Sequence, residues 1–129
     1  MLLADQYSVG RPIVSPDGRL IAFRYYDEKS ETPWRLGVMP ADGGEMIRSF
    51  PQPFRSFQWT PDGQSLTYIS GTSTVSNIWS QPLDGSSPRQ LTDFKEKRIY
   101  WFDWSSDGKQ LAVARGESSY DVVLIRDFK

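Results

Sequence analysis

The chain contains no cysteine and no histidine. This absence excludes disulfides, zinc sites built from Cys and His, and catalysis that depends on a thiol or an imidazole. No apolar run reaches the roughly 18 residues that a membrane helix requires, and the first residues lack the pattern of a signal peptide. We therefore expect a soluble protein that does not act on a membrane, with the cytoplasm slightly preferred over the periplasm.

An excess of charge of either sign is also missing. Lys and Arg number 15 against 16 Asp and Glu, which gives a net charge of −1. A chain without a large basic field does not attract a phosphate backbone, so we expect no nucleic-acid partner. Helical periodicity is absent as well. What the sequence does contain is 10 Gly, 9 Pro and 14% aromatic residues, a composition typical of many short strands and turns.

The most regular feature of the sequence is a turn that occurs three times between apolar stretches. Its aspartate falls at positions 17, 62 and 107, so the spacing is 45 residues in both intervals. A fixed period of this size indicates a stacked repeat in which one unit cannot bury its own hydrophobic face, and it predicts a β-propeller. The turns read Ser15-Pro16-Asp17-Gly18, Thr60-Pro61-Asp62-Gly63 and Ser105-Ser106-Asp107-Gly108.

The aspartates of these turns have a structural interpretation and a functional one. A ring of carboxylates could bind a cation, but an Asp before Gly in a tight turn usually bonds to nearby backbone N–H groups. We favour the structural interpretation and expect neither a metal nor a cofactor. The residues to which we assign this turn role are Asp17, Gly18, Asp62, Gly63, Asp107 and Gly108.

Each repeat contains the pattern of a strand meander. Before the turn, Phe57 with Trp59 and Phe102 with Trp104 lie two residues apart and so share a packed face. Third strands are predicted at 34–39, 77–81 and 121–126, and fourth strands at 46–49 and 89–92. After the turn, the predicted inward positions of the second strands are Ile21, Leu66, Leu111, Phe23, Tyr68 and Val113.

The predicted fold is therefore an all-β propeller segment, residues 1–129, made of four-stranded antiparallel blades at about 6–50, 51–95 and 96–129. The third repeat stops after its third strand, while the first residues resemble the Leu91-Thr92-Asp93 that ends a fourth strand. We predict that strand 1–5 completes the last blade of a neighbouring copy. The residues of this predicted oligomer edge are Leu2, Leu3, Ala4, Asp5, Val122 and Leu124.

Three blades are too few for a closed ring, since propellers have about four to eight. Two copies supply six. The sequence thus predicts that the chain partners with itself, as a head-to-tail homodimer that forms a six-bladed ring. A trimer is the second choice.

The repeat resembles that of the TolB-like, WD-repeat-like bacterial β-propellers. The stretch from Val14 to Phe23 carries the resemblance most fully, and Ala41-Asp42-Gly43-Gly44 and Leu91-Thr92-Asp93 complete the unit. Ser106 stands where that repeat has Pro, and Thr60 where it has Ser. The C-terminal residues resemble the end of larger bacterial proteins in which a propeller follows a kinase-like or winged-helix domain. The resemblance implies that the chain corresponds to the last three blades of a longer protein.

Four residues differ from their counterparts in the other repeats where a loop leads into an innermost strand. They are Arg55, Arg98, Tyr100 and Trp101, and we predict a ligand-binding surface there, with solvated loop residues as the alternative. The predicted function is a non-catalytic scaffold that binds a protein, a peptide or another ligand. The alternatives are an accessory propeller of a serine peptidase, although no Gly-x-Ser-x-Gly occurs, and a sensor domain of a kinase or transcription regulator.

Overall fold

The structure is a computed structural model that describes residues 8–9, 12–51, 56–116 and 120–126. These ranges contain strands and turns and no helix, so none of them forms a helix able to cross a membrane. The all-β architecture is confirmed. The strands are β1 Ser8–Val9, β2 Ile13–Val14, β3 Leu20–Tyr26, β4 Trp34–Pro40, β5 Arg48–Phe50, β6 Phe57–Trp59, β7 Ser65–Gly71, β8 Ser76–Pro82, β9 Arg89–Gln90, β10 Arg98–Trp104, β11 Gln110–Gly116 and β12 Tyr120–Arg126.

The chain divides into two compact units, Met1–Arg55 and Ser56–Lys129. The first unit holds one antiparallel sheet in which β3 pairs with β4 and β4 pairs with β5. Both β1 and β2 pair with β3 on its other side, opposite residues 25–26 and 21–22. They are therefore two pieces of one innermost strand, and the sheet is a four-stranded meander.

The second unit holds two further antiparallel sheets. One has the order β6-β7-β8-β9, and the other, within the described residues, has the order β10-β11-β12. The strand predicted at residues 1–5 lies outside the described ranges, and the repeat boundaries at 50/51 and 95/96 stay predictions.

Each of the three turns is closed by the same set of hydrogen bonds. Asp107 accepts bonds from the Ser105 hydroxyl at 2.6 Å and from the Lys109 backbone N–H at 2.9 Å, and the Ser105 hydroxyl accepts one from the Gln110 N–H. Asp17 and Asp62 accept the equivalent pairs of bonds. Gly18, Gly63 and Gly108 have φ between 71° and 76°, which favours glycine. The hydroxyl two residues before each Asp is thus part of the turn.

Alternation along the strands divides each sheet into two faces. In the first unit, the rings of Phe23 and Tyr25 lie over Gly37, where an added Cβ would come within 2.9 Å of the Phe23 ring. Met39 joins the same cluster, and Met46 packs against it. A side chain at position 37 would therefore displace the aromatic layer, which explains why this strand carries a glycine at its centre.

The two sheets of the second unit pack face to face. Ile78 from β8 is buried together with Ile99, Phe102, Leu111 and Val113 of the third sheet. Two hydrogen bonds also join these sheets. The Trp104 indole N–H donates to the Thr67 hydroxyl at 3.0 Å, and the Gln58 side-chain amide donates to the Phe102 carbonyl. The third sheet is thereby fixed against the second in position and in register.

One predicted boundary is wrong in a way that affects the site. The strand predicted before the third turn, which contains Phe102 and Trp104, begins at Arg98, so Arg98 and Tyr100 belong to β10 and not to the loop expected to lead into it. The extension forms because Ile99 pairs with Arg115, and because the Ile99 N–H donates to the buried Ser76 hydroxyl at 2.7 Å. That second bond comes from another sheet, and no pattern local to residues 96–101 reveals it.

Candidate functional site

The candidate site, called here the β9–β10 surface, consists of residues 93–98, Tyr100 and Trp101 together with Arg115 of β11. It lies where the chain passes from the outer strand of the second sheet to the inner strand of the third. Three of the four predicted site residues, Arg98, Tyr100 and Trp101, lie on this surface. Arg55 lies outside the described residues.

The three residues on β10 are placed by a bulge. Ile99 pairs with Arg115 and Trp101 pairs with Ala114, so the register shifts at Tyr100, the extra residue of the bulge. A bulge re-aims the side chains on either side of it. The Arg98 guanidinium carbon lies 4.7 Å from the centre of the Tyr100 ring, and Trp101 is 53% exposed. A cation and two aromatic rings are thus grouped on four residues of one strand.

The loop before β10 is held by a network of polar contacts centred on Asn77. The Asn77 side-chain oxygen accepts bonds from the Thr92 hydroxyl at 2.8 Å and from the Phe94 N–H at 2.6 Å, and its amide donates to the Phe94 carbonyl. The Thr92 hydroxyl in turn accepts the Ile78 N–H at 2.9 Å. This network fixes the start of the loop to β8 of the second sheet.

The end of the loop is held by an unusual backbone conformation. Lys97 has φ of 70°, in the left-handed region that residues other than glycine occupy only when their surroundings impose it. Its carbonyl accepts the Ser76 N–H at 3.2 Å, and it forms a bridge with Val75. The loop is therefore anchored to the second sheet on both sides of residues 95–96.

A second cation–aromatic pair is formed by Arg115 of the neighbouring strand β11. The Arg115 guanidinium carbon is 3.8 Å from the centre of the Phe94 ring, and its Nη2 donates to the Glu96 carbonyl at 2.6 Å. Stacking on an aromatic face together with a carbonyl bond holds the guanidinium in one place. Sequence reasoning missed Arg115 and Phe94, which lie 21 residues apart and share no local pattern that links them.

The surface is more positive than the chain as a whole. Lys95 lies 3.0 Å from Asp93 in an exposed ion pair, so these two charges largely offset each other. The remaining charges of the surface are three positive ones, on Lys97, Arg98 and Arg115, and one negative one, on Glu96. The whole chain, by contrast, has a net charge of −1. The local field therefore favours a ligand that carries negative charge.

The side chains of this surface are of the kind that bind ligands. The described residues contain no group of three acidic side chains that could hold a metal ion, and the sequence has no His or Cys. The surface instead combines stacked guanidinium groups with aromatic rings, which are the side chains enriched at binding hot spots. Rigid anchoring at both loop ends lowers the cost of ordering the surface when a ligand binds.

The predicted oligomer edge is only partly described. Val122 and Leu124 lie on β12 with 75% and 45% of their side chains exposed. Both point to the face of the third sheet opposite the one that packs on the second sheet, because they pair with Ala114 and Ala112. Leu2, Leu3, Ala4 and Asp5 lie outside the described residues.

Comparison with known proteins agrees with this architecture. No protein-family model matches the chain. Over 69 residues it is 36% identical to the Tol-Pal system protein TolB of Hydrogenovibrio crunogenus, which corresponds to 52% of this chain and 16% of that protein. The chain therefore spans a small part of its relative's length.

Solved structures extend the similarity to almost the whole chain. A TolB-type protein from Agrobacterium tumefaciens superimposes with a TM-score of 0.66 at 25% identity, covering 88% of this chain and 40% of that one. The β-propeller domain of the Trilobed protease from Pyrococcus furiosus gives a TM-score of 0.64 at 15% identity, covering 92% and 38%. The second likeness shows the fold alone. The chain is thus similar in sequence to TolB over about half of its length, and it shares the β-propeller fold of these structures.

Proposed function

We propose that the chain is a non-catalytic propeller module that binds a peptide or protein segment through the β9–β10 surface. The observation that carries this proposal is the Arg98 guanidinium, which stacks on the Tyr100 ring one residue from the exposed Trp101. On the neighbouring strand, Arg115 stacks on Phe94. Arg98 is exposed, and a guanidinium presents its N–H groups as a planar fork. Such a fork matches the two oxygens of a carboxylate.

The chemistry of the surface favours a ligand with both a carboxylate and an apolar group. The carboxylate would be a Glu or Asp side chain, or the C-terminus of a peptide, bound to Arg98. Trp101 offers an apolar face next to it. Aromatic and arginine anchors of this kind contribute most of the binding energy in many interfaces.

Peptide selection followed by affinity measurement tests this function. A random dodecapeptide library is panned against the chain, and the affinities of selected peptides are measured by fluorescence anisotropy. We expect selected peptides to carry a carboxylate that is needed for binding. Arg98→Ala should weaken binding about tenfold or more, equivalent to about 1.4 kcal/mol.

The matched control is Arg19→Ala, which removes an exposed arginine from a turn in the first unit. It should leave the affinity unchanged. Failure to select any saturable peptide, or equal effects of the two substitutions, would contradict the proposal.

A second candidate function is that of an accessory propeller in a peptidase. The observation in its favour is the fold shared with the propeller domain of the Pyrococcus protease over 92% of this chain. Mass spectrometry of the protein in its native source decides the question. Peptides from a hydrolase domain on the same polypeptide would support this candidate, and a product limited to propeller sequence would exclude it.

Self-association is a further property that we propose for this module. Within the second unit, the second sheet receives the third on a face that includes Thr67, Ile69, Ile78 and Ser80. The repeat and the strand register place Ala112, Ala114, Val122 and Leu124 at the corresponding positions of the third sheet. The third sheet thus presents the same kind of blade-receiving face, with more apolar residues and with Val122 and Leu124 exposed.

A second copy is the occupant that we propose for this face, as in a head-to-tail ring with six blades. One chain has a mass of 14.8 kDa, and light scattering should report twice that mass. The double substitution Val122→Glu and Leu124→Glu should give a folded monomer. Val14 and Ile47 are also exposed apolar residues, and they lie in the first unit. Substituting both with Glu would show whether the face that contacts the second copy lies on the first sheet. A folded monomer for the unaltered chain would contradict self-association without affecting the peptide-binding proposal.

A further inference from the structure

A polar cleft lies at the end of the second sheet opposite the β9–β10 surface. Its volume is about 440 Å³, within the range of about 300–1,000 Å³ that small-molecule sites occupy. The β6–β7 turn and the β8–β9 turn form two of its sides, and Trp104 of the third sheet forms another. The residues that carry the argument are Thr60, Asp62, Ser65, Ser80, Arg89 and Trp104.

The cleft exists because the second sheet departs from the other two. Ser80 pairs with Thr67 on the face towards the third sheet. At the same register the first sheet pairs Val38 with Ala22, and the third pairs Leu124 with Ala112. Packing between sheets favours apolar side chains of that size. A serine in place of Val or Leu leaves space and supplies a hydroxyl, which packing alone does not require.

The polar groups of the cleft are positioned by their own turns. Thr60 donates to Asp62 at 2.6 Å, and the Gln64 N–H donates to the same carboxylate oxygen. On the other side, the Gln81 side chain bridges the β8–β9 turn by donating to the Pro82 and Ser86 carbonyls at 3.0 and 2.9 Å. The walls are thus held in place before any ligand arrives, which lowers the cost of binding.

Charge and hydroxyl content define the class of ligand. Asp62 and Arg89 have opposite charges, so the cleft is neutral overall and selects neither an anion nor a cation. Serine and threonine hydroxyls both donate and accept hydrogen bonds. A carboxylate and a guanidinium together can bind neighbouring hydroxyl groups as acceptor and donor. The Trp104 ring, held by its bond to Thr67, adds one apolar surface.

We propose that this cleft is a binding site for a neutral saccharide. The ligand's hydroxyl groups would bond to Ser80, Asp62 and Arg89, and its less polar ring face would pack on Trp104. The site is separate from the β9–β10 surface, since Arg98 and Trp104 lie at opposite ends of β10. The proposal does not depend on peptide binding.

Nuclear magnetic resonance titration tests the site. The ¹⁵N-labelled chain is titrated with glucose, galactose, N-acetylglucosamine and their trisaccharides. We expect at least one of them to shift, in a saturable way, the Trp104 indole N–H signal and the amide signals of residues 86–91. Ser80→Leu, which introduces the residue found at this register in the third sheet, should lower the affinity at least tenfold.

Two further variants keep the result decisive. Ser70→Leu makes the same chemical change at an exposed position of β7 outside the cleft, and this variant should bind as the unaltered chain does. Arg89→Gln, at an exposed position, should weaken binding even if Ser80→Leu does not fold. Absence of saturable shifts with all six sugars, or shifts that persist unchanged in Arg89→Gln and in a folded Ser80→Leu, would overturn the proposal.

Discussion

At the scale of single residues, the hydrogen bonds of the first and third turns link stability to pH. The Ser105 hydroxyl and then the Lys109 N–H hold the pKa of Asp107 below its usual value of 3.8, and the Arg19 N–H and then the Ser15 hydroxyl do the same for Asp17. Both groups donate to the ionised form and therefore favour it. A lowered pKa in the folded state contributes stability above the unfolded pKa, and this contribution disappears as the pH falls through the folded pKa.

We therefore predict that Asp107→Asn costs stability at neutral pH and that this cost disappears in acid. Urea unfolding between pH 7 and pH 2 measures the difference between the variant and the unaltered chain. Ser106→Ala, a change at the neighbouring position of the same turn, is the control and should give a pH-independent difference. A constant difference for Asp107→Asn would show that the ionised carboxylate does not stabilise the turn.

Tyr68 provides the corresponding prediction at alkaline pH. The side chain is 3% exposed, and burial raises the pKa of Tyr68 to about 12 from 10.0. The neutral phenol is favoured in the folded state, so its contribution is fully present below pH 10 and is lost as the pH rises towards 12. Tyr68→Phe should weaken the loss of stability in that interval, as measured by urea unfolding at pH 8 to 12. An unchanged alkaline dependence would contradict the assignment of this effect to Tyr68.

At the scale of secondary-structure elements, the link between β9 and β10 depends on one hydroxyl. Thr92 is 7% exposed, donates to Asn77 and accepts from Ile78, so its removal leaves a buried N–H without that bond. Thr92→Val should destabilise the second unit by about 1–3 kcal/mol. Thr92→Ser, which keeps the hydroxyl, is the matched control and should cost less. Chemical denaturation measures both, and equal losses would mean that the methyl group and not the hydroxyl matters.

The same element shows where sequence reasoning succeeds and where it stops. The Leu91-Thr92-Asp93 motif could be recognised as the end of a repeat, but its role became evident only when Asn77, 15 residues earlier, was seen beside Thr92. Likewise, β10 begins earlier than predicted because Ser76 bonds to Ile99. Both contacts join different strands through side chains. Patterns of apolar residues report which face of a strand is buried and carry no information on such bonds.

At the scale of the whole chain, the repeat period was sufficient to predict the fold. A turn every 45 residues and alternating apolar positions defined antiparallel meanders, and the structure contains them. Part of the candidate site could also be predicted, since Arg98, Tyr100 and Trp101 break the repeat. The stack of Arg115 on Phe94 could not be predicted, because the two residues come into contact only after two sheets have packed. The polar cleft could not be predicted either, because the role of Ser80 becomes visible only when the strand registers of the three sheets are compared.

The central claim is that the β9–β10 surface binds a carboxylate-bearing segment. Hydrogen–deuterium exchange of the chain, with and without a saturating selected peptide, tests it most directly. We predict slower exchange in the amides of residues 93–101 and of β11 near Arg115, and no slowing in the Arg98→Ala variant at the same peptide concentration. Slowing confined to another part of the chain, or slowing that is equal in the variant, would contradict the claim.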